Sequence, residues 1–541
     1  MPGGFDGTQW GARPRWLTVP IGMYDAPREQ RQGVQLLDLA ANGHCGIFGA
    51  PGTGKTTLLK ELALAFGTYY TPEDVNLYIL DFGGWGMSVF SGLPHVGGVV
   101  LDGEDEKLRK LEQLLRQEIE ERKRVFLKNA VGSLAAYRET VSARLPAIVL
   151  LIDNIVPLFG QYPDSEELLA MLARDGATYG IYLIYTANSA TGVRYKVQQN
   201  VRSAIAFELT DKGDYAGLVG RIDGGALPRN AGRAFFKGKP PVAFQAALPT
   251  GGETDQERTL RLCETIARQA ACWSGPCARP IPVMPEHVSV RQMAQAYTVR
   301  TRLPVGIDRE HIQTAYIDLA EQYSMLISGA IRSGKSRMLK NLGALVADCY
   351  PQTRLYVLDG RGGALAELKE RAARYVQVDG ENAVSELFDE LVEELNVRKR
   401  AQNQARREAG DTFDEDAFLA AYPMLCILID DLKEFVDTVS DTSRNAMERV
   451  CRLAQKLGVM VLAAGRMADI AKYNEIESLT RVIVGNQKGL CLGGTPAQYG
   501  FFRNELKYTE KELAVEEGDG LLFDQGSCLR VKPFEEGTET E

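Results

Sequence analysis

The sequence of 541 residues predicts an α/β protein with two tandem domains, each built on a doubly wound, mostly parallel sheet. In both halves, strand-like apolar runs alternate with helix-like amphipathic segments, which is the pattern of such sheets. Several landmarks also recur in the two halves at an interval of about 280 residues, which indicates a duplicated domain. The landmarks are two glycine-rich motifs ending in Lys55 and Lys335, then Asp81 with Asp359, Asp153 with Asp430, and Gly180 with Gly458.

The first elements of each copy lead into a glycine-rich loop. In the first copy a short strand and turn at Leu17–Gly22 precede an apolar strand at Cys45–Phe48, and a helix follows the loop over 56–66. Three leucines at helical spacing mark the buried face of that helix. The matching segments of the second copy are 302–306, 325–328 and 336–347.

The later elements complete each sheet. A strand ends at Asp81, and an amphipathic helix covers about 104–128. The run Ala147–Ile152 is apolar on both faces, as in a central parallel strand, and β-like segments between 200 and 249 close the copy. The partners in the second copy are a strand ending at Asp359, a helix over 381–407, a polar loop over 403–416, the run Tyr422–Ile429, and β-like segments between 481 and 533.

These elements divide the chain into three parts. Residues 1–255 form the first domain, and its lead-in over 1–30 is rich in Gly, Pro and Arg. Residues 256–300 form a linker region with a helix-like start and a Pro-rich end, and residues 301–541 form the second domain. The tail Phe534–Glu541 is acidic, and we expect it to be disordered.

The composition is that of an ordinary globular protein, with 45% hydrophobic and 25% charged residues. No run of about eighteen apolar residues is present, so we expect no membrane-spanning helix, and the N-terminus lacks the pattern of a signal peptide. The formal net charge of -9 argues against a broad nucleic-acid-binding surface. Nine cysteines, several of them within apolar runs, indicate reduced, buried thiols of a cytosolic protein.

Both copies carry the motif G-x-x-x-x-G-K-[ST] between a strand and a helix, which predicts the phosphate-binding loop of a RecA-like P-loop NTPase domain. Backbone N–H groups and the positive end of the following helix surround the phosphates of ATP in such a loop. The predicted nucleotide-binding residues of the first loop are Gly49, Ala50, Pro51, Gly52, Thr53, Gly54, Lys55, Thr56 and Thr57. Those of the second loop are Gly329, Ala330, Ile331, Arg332, Ser333, Gly334, Lys335, Ser336 and Arg337. The second loop is bulkier, because Ile331 and Arg332 stand where the first has Pro51 and Gly52.

The magnesium ion that accompanies ATP needs a hydroxyl and a carboxylate close together. The hydroxyls of Thr56 and Ser336 directly follow the loop lysines, and a carboxylate is expected at the end of the central strand. Asp153 and Asp430 occupy that position. We therefore predict a Mg²⁺ site in each copy.

Hydrolysis of ATP needs a group that orients the attacking water and accepts its proton, often a glutamate directly after that aspartate. Asn154 and Asp431 stand there instead. Asparagine orients a water but is not a base, and aspartate is one methylene shorter than glutamate. We predict tight nucleotide binding with slow hydrolysis, slowest in the first copy. The residues predicted to act in catalysis are Lys55, Asp153, Asn154, Lys335, Asp430 and Asp431.

Two further features leave alternatives open. Asn188 follows the next strand, where a polar side chain often senses the γ-phosphate, although a turn cap explains it almost equally well. The second copy has Gly465-Arg466 there, so that sensor is absent or replaced. Basic clusters at 122–124 and 398–400 end the long helices, where they either reach a neighbour's phosphate or interact with the helix dipole, and we favour the dipole.

The chain resembles the FtsK/SpoIIIE family of motor ATPases through Asp81-Phe-Gly-Gly, Ser91-Gly-Leu-Pro-His95-Val, and Gly180-Ile-Tyr-Leu-Ile. The tandem, diverged copies and the segment Asp81–Met87 are more specific, and are similar to the EssC/EccC family of type VII secretion ATPases. The resemblance covers about residues 15–530. The family's DNA pumps carry Asp-Glu at the central strand and a basic tail, and this chain has neither.

The resemblance implies a role in protein export. It implies that the chain is the cytosolic part of a larger, membrane-anchored ATPase that forms a hexameric ring with other secretion components at the cytoplasmic face of the cell membrane. Secreted WXG100-type proteins would dock on the second domain. Two alternatives remain: a DNA translocase, which the negative charge disfavours, and a scaffold that uses ATP only to stabilise its structure.

Overall fold

The computed structural model describes residues 3–11, 15–26, 30–141, 144–222, 231–320, 322–379, 381–454 and 457–535. The chain folds into two compact units, Met1–Val283 and Met284–Glu541. Most of the predicted acidic tail, residues 536–541, lies outside the described residues. None of the described helices is both long enough and apolar enough to cross a membrane.

A ten-stranded sheet forms the centre of the first unit, in the order β2-β1-β10-β9-β8-β3-β7-β6-β4-β5. Its strands are β1 Thr18–Ala26, β2 Arg31–Asp38, β3 Cys45–Phe48, β4 Val75–Asp81, β5 Val96–Leu101, β6 Ala147–Asp153, β7 Ile181–Ala187, β8 Ser203–Ala206, β9 Arg233–Phe236 and β10 Val242–Ala246. The six strands from β8 to β5 are parallel. The other four extend the sheet with antiparallel pairs.

Helices cover both faces of this sheet. They are α1 Leu39–Asn42, α2 Lys55–Tyr69, α3 Asp105–Lys128, α4 Leu134–Thr140, α5 Leu158–Gln161, α6 Pro163–Met171, α7 Tyr195–Gln198, α8 Asp214–Leu218 and α9 Asp255–Cys272. Strand β6 is buried along its whole length. Val149 and Leu151 belong to the core cluster that contains the leucines of α2, while Leu150 and Ile152 belong to the one that contains the leucines of α3. The sheet is therefore doubly wound, as the sequence predicts.

The second unit repeats this topology strand for strand, in the order β12-β11-β20-β19-β18-β13-β17-β16-β14-β15. Its strands are β11 Arg302–Asp308, β12 Thr314–Asp318, β13 Ser324–Gly329, β14 Arg354–Asp359, β15 Arg374–Gln377, β16 Leu425–Ile429, β17 Val459–Arg466, β18 Lys488–Leu492, β19 Gly520–Asp524 and β20 Ser527–Pro533. Its helices are α10 Val290–Ala296, α11 Lys335–Cys349, α12 Glu381–Ala409, α13 Glu415–Ala420, α14 Leu432–Thr438, α15 Asp441–Ala454, α16 Met467–Ile476, α17 Ser478–Gly485 and α18 Tyr508–Lys511. Two domains with mostly parallel sheets are thus confirmed.

The predicted polar loop over 403–416 is wrong in its first half, because α12 continues to Ala409. The residues concerned are polar, but most of them (Gln, Ala, Arg, Glu) are strong helix formers. The amide of Gln404 donates to Glu408 at 2.9 Å, one turn further on. After α12 only a short turn precedes α13. The loop prediction relied on the polar composition of this segment, which does not exclude a helix.

The chain after β10 belongs to the first unit. Leu262 and Ile266 of α9 lie in its core, and the amide of Gln269 donates to Thr68 at 3.3 Å. The segment 278–281 then runs along β5, where the Ile281 N–H donates to the Gly97 carbonyl at 2.9 Å. A β-carbon on Gly97 would come within 2.4 Å of a backbone oxygen of that segment. This segment therefore covers the β5 edge of the sheet.

His44, at the start of β3, makes the stability of the first unit depend on pH. Its Nδ1 atom accepts a hydrogen bond from the Leu183 N–H at 2.9 Å, so that nitrogen carries no proton. Burial lowers the pKa of His44 from 6.5 to about 4. Between these two values the unfolded chain binds a proton that the folded chain does not. We expect the free energy of unfolding to fall by up to about 1.4 kcal/mol per pH unit as the pH drops from 6.5 towards 4.

This pH effect is measured by urea unfolding of the wild type and His44→Asn at pH 7.5 and pH 5.5, because asparagine keeps an acceptor but does not titrate. All four tryptophans of the chain lie before Val283, so their fluorescence reports the first unit. His44→Asn should lose less stability on acidification than the wild type. An equal loss in both proteins would show that His44 does not contribute to the pH dependence.

Candidate nucleotide-binding sites

The first loop joins β3 to α2, and its glycines shape it. Gly52 and Gly54 adopt left-handed φ values of 77° and 109°, which favour glycine. A β-carbon on Gly49 would lie 2.7 Å from the Thr53 hydroxyl and 2.8 Å from the Phe207 side chain, so no larger residue fits there. The loop is therefore an open cradle of backbone between a strand and a helix.

Lys55 and Thr56, the first residues of α2, lie where the motif predicts them. The Lys55 ammonium donates to the carbonyls of Gly49 at 2.8 Å and Ala50 at 3.0 Å, so it lies over its own loop. Burial lowers its pKa, and the charge of Asp153 partly opposes that shift. The Thr56 hydroxyl donates to Asp153 at 2.8 Å. The structure thus brings together the predicted cation, hydroxyl and carboxylate.

Thr186 of β7 is a site residue that the sequence analysis missed. Its hydroxyl donates to the other oxygen of Asp153 at 2.7 Å and accepts from the Asn154 N–H at 2.7 Å. The signal was a polar side chain inside an otherwise apolar, fully buried strand. Thr186 fixes the Asp153 carboxylate from the side opposite to Thr56.

The second loop follows the same backbone path despite its bulkier sequence. Arg332 adopts a φ of 62° at the position where Gly52 has 77°, and Gly334 matches Gly54 at 89°. A left-handed conformation costs a non-glycine residue about 1–2 kcal/mol. Ile331 is 70% exposed, so the added bulk points into solvent rather than into the loop.

The charged groups of the second loop also lie together. The Lys335 ammonium donates to the Ala330 carbonyl at 2.6 Å. Burial raises the pKa of the Asp430 carboxyl, and the hydrogen bond between that carboxyl and the Ser336 hydroxyl opposes the shift only in part. The guanidinium of Arg337, another residue predicted to bind the nucleotide, lies 3.9 Å from the Glu535 carboxylate. The negative charge of the buried Asp430 carboxylate is therefore only partly balanced by its neighbours.

The residues after the two strand-end aspartates share a left-handed conformation, with φ 62° at Asn154 and 53° at Asp431. Asparagine and aspartate tolerate this region better than other side chains do. The Asp431 carboxylate accepts from the Glu434 N–H at 3.1 Å and so caps α14. The Asn154 amide lies 3.4 Å from the Phe82 carbonyl. The backbone therefore favours these two residue types over glutamate.

Glu434, one turn into α14, was also missed. Its carboxylate lies 3.4 Å from the guanidinium of Arg361, in the turn after β14. The same carboxylate lies 3.4 Å from the Arg361 backbone nitrogen. No sequence pattern singles it out.

The turns after β4 and β14 are alike, although their sequences differ. Asp81 accepts from the Met87 N–H at 2.8 Å, and the matching bond to Asp359 spans 3.0 Å. Trp85 and Gly363 occupy the same place in these turns with the same φ of 64°. Trp85 is 64% exposed, so a large aromatic side chain projects from a position that suits glycine.

The basic clusters at 122–124 and 398–400 are divided between core and surface. The prediction that 398–400 ends its helix is wrong, because α12 continues to Ala409. Arg122 and Arg398 are buried, at 1% and 2% exposure, and pair with Glu118 and Glu394. Arg122 also donates to two backbone carbonyls. Within the described chain both arginines are held by contacts inside their own unit.

A cavity of about 1210 Å³ opens in the second unit near the start of β13, whereas the second loop follows the end of that strand. Tyr323, which directly precedes β13, lies in its wall. Among the described residues, Arg452, Arg481 and Arg503 line it together with one acid, Glu505. The Arg452 guanidinium is paired with Glu448 beside the cavity. The Arg503 side chain makes no hydrogen bond or ion pair with any residue that the structure describes. The cavity is therefore polar and cationic.

Comparison with known proteins places this geometry in context. A family model described as "FtsK/SpoIIIE family" matches residues 9–233 and 288–420, well over half of the chain. An ESX secretion system protein EccC from Geobacillus thermodenitrificans is 26% identical over 96% of this chain and 35% of its own length. The EccC of Thermomonospora curvata is 28% identical over 90% of this chain and 38% of its own length. The chain thus spans about a third of the length of the curated relatives it matches.

Solved structures show the same fold. The structure titled EssC (ATPases 2 and 3) from Geobacillus thermodenitrificans has a TM-score of 0.85 at 24% identity and covers 97% of this chain and 98% of its own. The Thermomonospora curvata EccC (ATPases 2 and 3), in complex with a signal sequence peptide, has a TM-score of 0.56 at 23% identity, covering 99% and 97%.

Proposed function

The chain belongs to the FtsK/SpoIIIE family, and from that premise we propose that it is the ATP-binding segment of a type VII secretion ATPase. It binds ATP with Mg²⁺ at both loops and hydrolyses it slowly. The observation that carries this proposal is the contact between Thr56 and Asp153, with Lys55 above the same loop. We further propose that the segment acts at the cytoplasmic face of the membrane, within a hexamer that contains further secretion components.

The residues present fit a nucleotide and a divalent cation. In the first loop, Gly49 leaves the space that a side chain would fill. The Lys55 ammonium donates its hydrogen bonds to loop carbonyls, which phosphate oxygens would replace. In the second loop, burial raises the pKa of Asp430, and a bound cation would oppose that shift by stabilising the charged carboxylate. Mg²⁺ would be held by the hydroxyl–carboxylate pair of each unit, and it neutralises phosphate charge.

Slow hydrolysis follows from the residues after those carboxylates. Asn154 has no ionisable group, and the Asp431 carboxylate is engaged in capping α14. Neither is positioned to remove a proton from water without a rearrangement. We infer that both sites hold ATP mainly as a bound ligand that sets the conformation of each unit.

Recognition of secreted WXG100-type proteins is proposed for the second unit. The related EccC whose structure contains a signal sequence peptide supports peptide binding in this family. The cationic cavity supports the same conclusion, because Arg481 and Arg503 face one lining acid, Glu505, while Arg452 is paired with Glu448. An excess of positive charge favours an acidic peptide segment. In the first unit, the smaller cavity of about 550 Å³ has Glu166 and Glu167 in its wall, which offset its cations.

Nucleotide content and ATPase rate test the first part of the proposal. The purified wild type should retain ATP, with turnover near zero. Lys55→Ala should lose the nucleotide of the first loop, and Lys335→Ala that of the second, because each removes the cation that pairs with the β- and γ-phosphates. Retention that neither substitution changes would contradict the proposed sites. Rapid hydrolysis stimulated by DNA would instead support a DNA translocase.

Peptide titration tests the second part. A WXG100-type C-terminal peptide labelled with a fluorophore should bind the wild type and bind Arg503→Glu more weakly. Arg174→Glu, in the wall of the smaller cavity of the first unit, is the matched control. Equal binding by all three proteins would exclude the cationic cavity as the peptide site.

A further inference from the structure

The second site has a cation that the first lacks. Arg466 ends β17, and in the register of the parallel sheet it lies beside Gly329, the first residue of the second loop. The first unit has Asn188 in the matching place, directly after Ala187, which pairs with the end of β3. The duplication thus supplies an internal comparison, with a neutral amide in one unit and a guanidinium in the other.

Arg466 lies between the loop and the carboxylate of the second site. Strand β17 is flanked by β13, which leads into the loop, and by β16, which leads into Asp430. Adjacent strands are about 4.8 Å apart, so the end of β17 faces the space between the Lys335 ammonium and the Asp430 carboxylate. In a phosphate-binding loop the terminal phosphate occupies that space, because the loop itself holds the preceding phosphate.

Two positive charges, those of Lys335 and Arg466, meet there. The charge of Arg466 contributes to the lowered pKa of Lys335, second only to burial. Arg466 is exposed, and the part of the chain that the structure describes offers it no hydrogen bond or ion pair. The Asp431 and Asp430 carboxylates partly offset the charge of Lys335. Each also has another partner, since Asp430 bonds Ser336 and Asp431 caps α14. Neighbouring cations repel each other until an anion lies between them.

We propose that Arg466 binds the terminal phosphate of a nucleoside triphosphate held in the second loop, and so makes that site selective for triphosphate over diphosphate. This rests on the proposed function, in which the second loop binds a nucleotide. A guanidinium offers two parallel N–H donors to a phosphate, whereas the Asn188 amide offers a neutral donor. The first site is therefore the less selective of the two.

The test uses the full chain with Lys55→Ala, so that the second loop dominates binding. ATP and ADP are each titrated in the presence of Mg²⁺ into this parent, into the parent with Arg466→Asn, and into the parent with Arg466→Lys. A charged hydrogen bond contributes enough that its loss should weaken ATP binding about 10- to 100-fold, with ADP affected by less than about threefold. Lysine should restore part of the loss, since it keeps the charge but not the fork.

The matched experiment adds the cation to the first site. In a chain with Lys335→Ala, Asn188→Arg should raise the preference for ATP over ADP. Circular dichroism melting checks that each variant is folded, and little change is expected at two exposed positions.

The outcomes distinguish the role of Arg466 from nucleotide binding by the second loop. If Arg466→Asn weakens ATP and ADP equally, or neither, the role of Arg466 is wrong while the nucleotide site stands. If the Lys55→Ala parent binds no nucleotide at all, the second loop is not a nucleotide site, and both the inference and that part of the proposed function are overturned.

Discussion

Arg122→Ala is expected to destabilise the first unit by about 3–5 kcal/mol, the range for breaking a buried ion pair. Arg122 is 1% exposed and pairs with Glu118 at 2.8 Å. It also donates to the carbonyls of Tyr179 at 2.6 Å and Pro146 at 2.8 Å. Pro146 directly precedes β6, and Tyr179 lies just before β7. One side chain of α3 thus holds the starts of two central strands, and its removal leaves a half-buried carboxylate and two carbonyls without their donor.

Urea unfolding followed by tryptophan fluorescence measures this change, because the tryptophans lie in the first unit alone. The matched control is Lys123→Ala, the exposed neighbour on the same helix, which should leave the transition almost unchanged. A loss below about 1 kcal/mol for Arg122→Ala would mean that the pair contributes no more than a surface one.

Asp153→Asn is expected to weaken the binding of ATP in the presence of Mg²⁺ on the order of 10²-fold, while binding in EDTA changes little. The carboxylate accepts from Thr56 at 2.8 Å and from Thr186 at 2.7 Å, so its two oxygens orient the hydroxyl that would contact the metal. An amide has one acceptor fewer and no charge. Residues that only orient a metal ligand already contribute 10- to 100-fold to metal affinity.

Isothermal titration of ATP with and without Mg²⁺ checks this result. Lys335→Ala in the background confines the measurement to the first loop. Asp81→Asn is the control, because Asp81 is equally buried but its oxygens accept from the Gly83 and Met87 N–H groups. It should affect stability and leave the magnesium dependence in place. Equal losses with and without Mg²⁺ for Asp153→Asn would contradict a metal role.

The sequence predicts well the parts of these sites that depend on local pattern. A glycine-rich motif between strand and helix determines the loop, and an apolar run ending in aspartate determines the facing strand. It does not predict what depends on neighbours in space. Thr186 and Arg466 acquire their importance only because β7 and β17 lie beside β3 and β13. The left-handed backbone at Asn154 likewise has no sequence signal of its own.

The antiparallel half of each sheet was the least predictable part of the fold. Strand β1 pairs with β10, more than two hundred residues later in the chain, and β11 pairs with β20 in the same way. Such pairings follow from the three-dimensional course of the chain rather than from any repeat or spacing. The wrong loop over 403–416 had a different cause, because composition there outweighed helix propensity.

The segment 278–281 that lies along β5 determines how the first unit can be isolated. A fragment ending before Asp255 would lack both α9 and this cover, leaving Leu262 and Ile266 out of the core. The N–H and C=O groups of β5 would then form an open sheet edge, which readily pairs with a strand of another molecule. Aggregation of such a truncated fragment would reflect the missing cover and not an intrinsically unstable domain.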